Sequence, residues 1–82
     1  MDKSEILNKL KKIVASVKDI DIGELEFVTD ETTIKDDLGL NSIGVLYVVI
    51  AIEREFDISM QDADVSTFIT VGDVVDFIYE NY

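Results

Sequence analysis

The sequence predicts an all-α fold: a small four-helix bundle with three longer helices, one short helix and a long loop between helices one and two. Apolar residues recur at helical spacing near both ends of the chain, and residues typical of helix starts precede these stretches. With no proline and 48% apolar residues, the chain has the composition of a folded protein, and its 82 residues suit a single domain spanning residues 1–82.

The first helix is expected near residues 3–18. Asp2 stands three residues before Glu5, as in a capping pair, and apolar residues follow at helical spacing: Ile6, Leu7, Leu10, Ile13, Val14 and Val17. Residues 1–18 hold five lysines against two acids, a net charge of +3, whereas residues 19–82 hold two bases against sixteen acids, a net charge of −14. Charge is therefore strongly polarised along the chain.

A long loop is expected from residue 19 to residue 41. Asp, Glu, Thr and two glycines occur there without sustained periodicity. Seven apolar residues are expected to anchor the loop: Ile20, Ile22, Leu25, Phe27, Val28, Ile34 and Leu38.

The stretch from Ile43 to Ile52 is almost wholly apolar and rich in β-branched residues, which by propensity alone favour a buried strand. Three features favour a helix instead. The run continues to Phe56, its apolar residues have neighbours at i+3 and i+4, and Asn41 and Ser42 supply a cap. A second helix is therefore the preferred interpretation.

Two more capped helices are predicted in the last part of the chain. Ser59 lies three residues before Asp62 and opens a short helix that ends near Thr67. Thr70 lies three residues before Asp73 and opens the last helix, whose apolar residues include Val71, Val74, Val75 and Ile78.

Composition excludes several classes of function. A formal net charge of −11 disfavours nucleic-acid binding, and the absence of Cys and His removes disulfides, zinc sites and Ser-His or Cys-His catalysis. None of the four glycines fits an EF-hand or a phosphate-binding loop, and Asp36 and Asp37 are expected to be solvated. We therefore predict no metal site, no nucleotide site and no enzymatic activity.

The longest uncharged stretch, residues 38–52, is too short to span a bilayer, so no membrane insertion is expected. The amino terminus shows no export signal, which makes a cytoplasmic location the default expectation. We expect a monomer.

Ser42 has two interpretations from spacing alone. Gly39 permits a tight turn, Leu38 and Leu40 can tether the loop, and the Ser42 hydroxyl then stands at the amino end of a helix. The same hydroxyl can serve as an ordinary helix cap, a role that Asn41 can also fill. Spacing alone favours the capping role.

Residues 37–43, Asp-Leu-Gly-Leu-Asn-Ser-Ile, resemble the Asp-Leu-Gly-x-Asp-Ser-Leu motif of acyl carrier proteins, and the likeness continues through residues 11–14, 53–58 and 70–78. The resemblance implies that Ser42 carries a 4′-phosphopantetheine arm, with Asn41 and Gly39 beside it. A phosphopantetheinyl transferase would donate the arm from coenzyme A. The arm would then present acyl thioesters to acyl-loading, synthase or acyltransferase enzymes of fatty-acid, lipid or related biosynthesis.

The resemblance also implies two surfaces around the arm. The residues expected to line a pocket for the acyl chain, for which ordinary core packing is an equally good explanation, are Leu46, Ile50, Ile69 and Val75. A partner-binding surface is expected on the second helix, where carboxylates face basic patches on partner enzymes and apolar residues add contact: Ile43, Tyr47, Ile50, Glu53 and Glu55.

Departures from the family pattern favour a specialised carrier. Asn41 replaces the usual Asp beside the modified serine. Gly44 and Tyr47 occupy positions that are often acidic, and Arg54 stands where another acid is common. Two alternatives stay open: a peptidyl or aminoacyl carrier of a nonribosomal pathway, and an unmodified acidic helical module that binds a basic protein surface.

Overall fold

The structure, a computed structural model, describes residues 1–61 and 63–82. Three α-helices and two short 3₁₀ turns follow one another along the chain: α1 (Lys3–Lys18), the first 3₁₀ turn (Ile22–Leu25), α2 (Ser42–Phe56), the second 3₁₀ turn (Val65–Thr67) and α3 (Val71–Asn81). Within the described ranges there is no strand, and a single antiparallel bridge joins Thr33 and Thr70. The predicted all-α fold is confirmed.

Both ends of α1 are as the sequence predicts. The Asp2 carboxylate accepts a hydrogen bond from the Glu5 N–H at 2.8 Å, which satisfies one of the amides that the first turn leaves free. The helix ends at Asp19, whose backbone lies in the left-handed region with φ 56°. Lys18 lies in the last turn, where the negative end of the helix dipole stabilises its positive charge.

The apolar stretch that begins at residue 43 is helical, as predicted. Its buried residues are Val48, Ile52 and Phe56, spaced four residues apart, so they form one stripe against the core. A strand would instead have divided these side chains between two faces, because its side chains alternate. Tertiary packing therefore overrides the β-propensity of the branched residues.

The amino end of α3 is joined to the long loop. The Val71 and Gly72 N–H groups donate to the carbonyls of Thr32 and Asp30 at 2.8 and 2.9 Å. A Cβ at Gly72 would lie 2.9 Å from the Asp30 carbonyl oxygen, so only glycine allows this approach. Thr70 and Asp73 form the predicted capping box.

The short helix is where the sequence prediction needs correction. The predicted start pairs Ser59 with Asp62, and Asp62 lies outside the described residues. The helical turn that the structure describes begins only at Val65, where the Asp64 carboxylate accepts from the Ser66 N–H at 3.1 Å. Before that point Met60 is buried in the core, with 3% of it exposed, and residues 58–60 are not helical.

One continuous core holds the elements together. α1 packs against both α2 and α3, and the most deeply buried side chains come from all three helices: Ile6, Ile52, Val75 and Ile78. The loop adds buried anchors of which four were predicted, namely Leu25, Val28, Ile34 and Leu38, whereas the predicted anchors Ile22 and Phe27 are exposed. Among the helices of the described residues, none is long and apolar enough to cross a membrane.

Candidate functional site

The first residue of α2 presents a free hydroxyl. Asn41 is the helix cap, because its side-chain oxygen accepts from the Gly44 N–H at 2.8 Å. Ser42 follows as the first helical residue, and its side chain is exposed to solvent. The capping role that spacing alone favoured for Ser42 therefore belongs to its neighbour Asn41.

The loop before α2 is fixed by hydrogen bonds on either side of the motif. The Thr33 N–H donates to the Asp37 carboxylate, and the Asp37 N–H donates to the Thr33 hydroxyl, both at 2.9 Å. The Leu40 N–H donates to the Ile34 carbonyl at 3.2 Å. The expected tethers Leu38 and Leu40 are both buried. These contacts fix the backbone of the loop that leads into Ser42.

Gly39 and Lys18 complete this loop. Gly39 adopts φ +67°, in the left-handed region that other residues enter only at a cost. A Cβ there would meet the Lys18 ammonium at 3.5 Å, an ordinary contact, so the backbone angle, and not space, calls for glycine. Lys18 donates from the end of α1 to the Leu38 carbonyl and so joins the first helix to the motif loop.

The start of α2 favours an anion. The first two amides of a helix, here those of Ser42 and Ile43, have no intrahelical carbonyl to bind, and the dipole places partial positive charge at this end. The first turn consists of Ser, Ile, Gly and Val and so contains no acid that would repel a negative group. A phosphate ester on the Ser42 oxygen fits this environment.

A cavity of about 290 Å³ opens beside Ser42. Its polar lining residues include Ser42, Lys35 and Ser66, and its walls are mainly apolar. The wall that α2 contributes consists of Val45, Val48, Val49 and Ile52. For scale, an apolar protein cavity of about 150 Å³ holds one benzene molecule, so this cavity has the volume for a larger apolar group.

The predicted lining set is wrong for this cavity, since none of its members contributes to the wall. Leu46 and Ile69 are 56% and 64% exposed, so they face solvent. Ile50 lines a separate surface groove, and Val75 is only 1% exposed because it packs within the core away from the opening.

Spacing groups the residues of the cavity wall with Ser42 but does not separate them from their exposed neighbours. Val45, Val49 and Ile52 follow Ser42 by three, seven and ten residues, so they lie on the same helix face as the hydroxyl. Leu46 and Ile50 lie four and eight residues after Ser42, which is also compatible with one face, but they fall on its solvent side. Spacing along a single helix does not show which edge of this face points into the protein.

An exposed apolar stripe runs along the outer side of α2. Its four members are spaced i, i+3, i+4 and i+7, and their exposed fractions are 64%, 56%, 58% and 38%: Ile43, Leu46, Tyr47 and Ile50. Three of them were predicted to contact partners. At Tyr47 and Ile50 the stripe continues into a groove that Val17 of α1 helps to form.

The two acids predicted to face partners are placed differently. Glu53 is half-buried, and its carboxylate accepts from the Met60 N–H at 2.9 Å, which joins α2 to the chain that follows it. Glu55 is exposed and borders the groove, with its carboxylate 3.9 Å from the Lys9 ammonium. The stripe is therefore apolar with a single predicted acid at its end.

Comparison with known families agrees with this geometry. The family model of the phosphopantetheine attachment site matches residues 8–78. The chain is 37% identical over 76 residues to an acyl carrier protein of Clostridium perfringens, and the aligned residues cover 93% of this chain and 96% of that protein. It is 40% identical over 78 residues to an acyl carrier protein of an Exiguobacterium species, which covers 95% of each.

Solved structures give the same result. The acyl carrier protein from Enterococcus faecalis matches with a TM-score of 0.73 and 39% identity, and the match covers the whole of both chains. The apo doublet acyl carrier protein from prodigiosin biosynthesis matches with a TM-score of 0.74 over 99% of this chain and 38% of that one. Its 18% identity makes this second likeness one of fold alone.

Proposed function

This chain belongs to the acyl carrier protein family, whose members bear a phosphopantetheine attachment site, and we propose that Ser42 is the residue to which its 4′-phosphopantetheine is joined. The protein is a carrier and not a catalyst. The observation that carries the assignment of Ser42 is its exposed hydroxyl, free of the capping role and at the opening of an apolar cavity.

The residues around Ser42 have definable parts in this function. Bound 4′-phosphopantetheine supplies the thiol that holds an acyl group as a thioester. As the Ser42 oxygen bonds to the phosphorus that bears the pantetheine, the pyrophosphate P–O bond of coenzyme A breaks, adenosine 3′,5′-bisphosphate leaves, and the serine proton passes to a base on the transferase. The amides at the start of α2 stabilise the resulting anion by about 0.3–1 kcal/mol. Because the sequence contains no His or Cys, activation of the hydroxyl falls to the transferase.

The apolar cavity suits the acyl chain. Val45 and Val49 line its wall on the helix face that bears Ser42, so a chain tethered there reaches the interior without crossing the outer stripe. Burial of apolar carbons yields about 0.8 kcal/mol for each methylene removed from water. The cavity thereby shelters the thioester-linked chain between encounters with enzymes.

The partners that this surface suits are enzymes with an apolar docking face. Ile43, Leu46 and Tyr47 form the part of the stripe nearest Ser42, and a basic group on the partner would complement Glu55 at its end. This arrangement supports a specialised carrier that serves a dedicated acyl-transfer or synthase pathway, instead of or beside general fatty-acid synthesis. We place this activity in the cytoplasm and assign it to the monomer.

Modification by a promiscuous phosphopantetheinyl transferase tests the proposal. Incubation of the apo protein with coenzyme A and the enzyme should raise its mass by one 4′-phosphopantetheine, and Ser42→Ala should abolish the gain. Ser66→Ala is the matched control, because Ser66 is also exposed and lines the same cavity. Full modification of Ser42→Ala, or none of the wild type, would refute the assignment.

The cargo is tested with the modified protein. Acyl-adenylating and amino-acid-adenylating enzymes, supplied with labelled fatty acids or amino acids, should load the fatty acids. Preferential loading of amino acids would instead support a carrier of a nonribosomal pathway.

A further inference from the structure

Lys35 lies at the mouth of the cavity that Ser42 also lines. It is seven residues before Ser42 and is exposed to solvent. The backbone beside it is held at both polar atoms of Ile34: the Ile34 N–H donates to the Ile69 carbonyl at 3.0 Å, and its carbonyl accepts from the Leu40 N–H at 3.2 Å. The backbone from which the Lys35 side chain extends is therefore fixed.

The charges around the opening leave this cation available. Lys35 is the one charged residue in the described lining, and among the described residues it takes part in no ion pair. Asp37 is directed to the Thr33 N–H, and Asp64 accepts from the Ser66 hydroxyl at 2.5 Å. Asp36 is exposed next to Lys35 in sequence.

We propose that Lys35 is a positioning residue that pairs with the phosphodiester on Ser42 and holds the root of the arm at the cavity mouth. The inference rests on the proposed attachment at Ser42. Lys35 lines the same cavity as Ser42, so its positive charge adds to the positive end of the α2 dipole in favouring a phosphate there. With its root held there, the arm directs the thioester toward the wall formed by Val45 and Val49.

The first test follows the side-chain ammonium resonances of the lysines by NMR in the apo and modified proteins. The arm thiol is capped with iodoacetamide so that only the phosphodiester adds charge. The ammonium resonance of Lys35 should shift on modification, because the ammonium then pairs with the phosphodiester. Lys12, exposed on α1, is the control, and its resonance should be the same in both forms.

The second test reads the phosphorus nucleus of the modified protein at pH 7. Lys35→Gln should shift its ³¹P resonance from the wild-type position, whereas Lys35→Arg should keep it close to that position because the charge remains. Lys12→Gln should leave it unchanged.

The outcomes separate this inference from the attachment itself. If the protein gains one arm at Ser42 but the ammonium resonance of Lys35 does not move on modification and the ³¹P resonance of Lys35→Gln stays at the wild-type position, the positioning role is refuted and the attachment stands. If no arm is added at Ser42, both are refuted.

Discussion

At the residue scale, two adjacent side chains divide two tasks at the start of α2. Asn41 satisfies the Gly44 amide, and Ser42 is left with an exposed hydroxyl. A carrier needs this division, because an oxygen engaged in capping is less available for esterification. The usual aspartate of the family would cap equally well, so Asn41 keeps the cap while removing a negative charge beside the phosphate.

Substitutions at these two residues should affect stability unequally. Asn41→Ala should lower the free energy of unfolding by about 0.5–2 kcal/mol, because a first-turn amide loses its acceptor. Asn41→Asp should retain it, and Ser42→Ala should change it by less than about 0.5 kcal/mol. Urea unfolding of the apo proteins measures all three. Equal losses for Asn41→Ala and Ser42→Ala would contradict the assignment of the cap.

At the element scale, the start of α3 depends on an ionised side chain. Hydrogen bonds from the backbone of Thr70 and then of Ile69 lower the pKa of Asp73 from its ordinary value of 3.8. The unfolded chain therefore binds this proton more readily than the folded one. The stabilisation is present above the ordinary pKa and is lost as the pH falls through the lowered one.

Removal of this charge should have a pH-dependent effect. Asp73→Asn should lower the melting temperature most near pH 6, and the difference from the wild type should shrink as the pH falls toward 3. Thermal unfolding followed by circular dichroism across this range measures it. A difference that is the same at every pH would show that the carboxylate charge does not stabilise α3.

The outer stripe of α2 should matter for partners and not for folding. Leu46→Ser should change the free energy of unfolding by less than about 0.5 kcal/mol, since its side chain is 56% exposed. It should reduce acyl transfer by a cognate partner about tenfold, equivalent to about 1.4 kcal/mol of lost contact. Phe27→Ser is the matched control, because Phe27 is 57% exposed but lies in the loop. Equal effects of the two on transfer would exclude a specific role for the stripe.

At the scale of the whole molecule, charge is distributed unevenly. The five lysines of residues 1–18 face a remainder with a net charge of −14, and repulsion among those acids opposes the folded state. Only two ion pairs relieve it among the described residues, Lys3 with Asp76 at 3.0 Å and Lys9 with Glu55 at 3.9 Å. Both are largely exposed and so contribute little.

Cations should therefore stabilise the protein. Its melting temperature should rise between a low-salt buffer and the same buffer with several millimolar magnesium, because the ions screen the acidic surface. Differential scanning calorimetry measures the change. A melting temperature that is unchanged or lower in magnesium would show that repulsion among the acids does not limit stability.

Sequence patterns predicted the helices better than the cavity. The bounds of α1, the helical nature of α2 and the capping box of α3 follow from local rules, and the structure confirms them. The second 3₁₀ turn starts at Val65, after a stretch in which Met60 is buried, and burial of a single residue is a tertiary property that local rules do not give. The inward and outward edges of α2 likewise depend on how α1 and the loop pack against it, so Leu46 was assigned to the wrong side.

The resemblance of residues 37–43 is confirmed at the level of the family by the comparisons with known proteins. These comparisons identify the family and not the residue that is modified, so the role of Ser42 stays a prediction. Physical features of the start of α2 support it: the cap on Asn41, the exposed hydroxyl and the adjoining cavity.

Fragmentation mass spectrometry of the intact modified protein tests this central claim most directly. Fragments that contain residue 42 should carry the mass of 4′-phosphopantetheine, and fragments that contain only Ser59 or Ser66 should not. Attachment to any residue other than Ser42 would contradict the account.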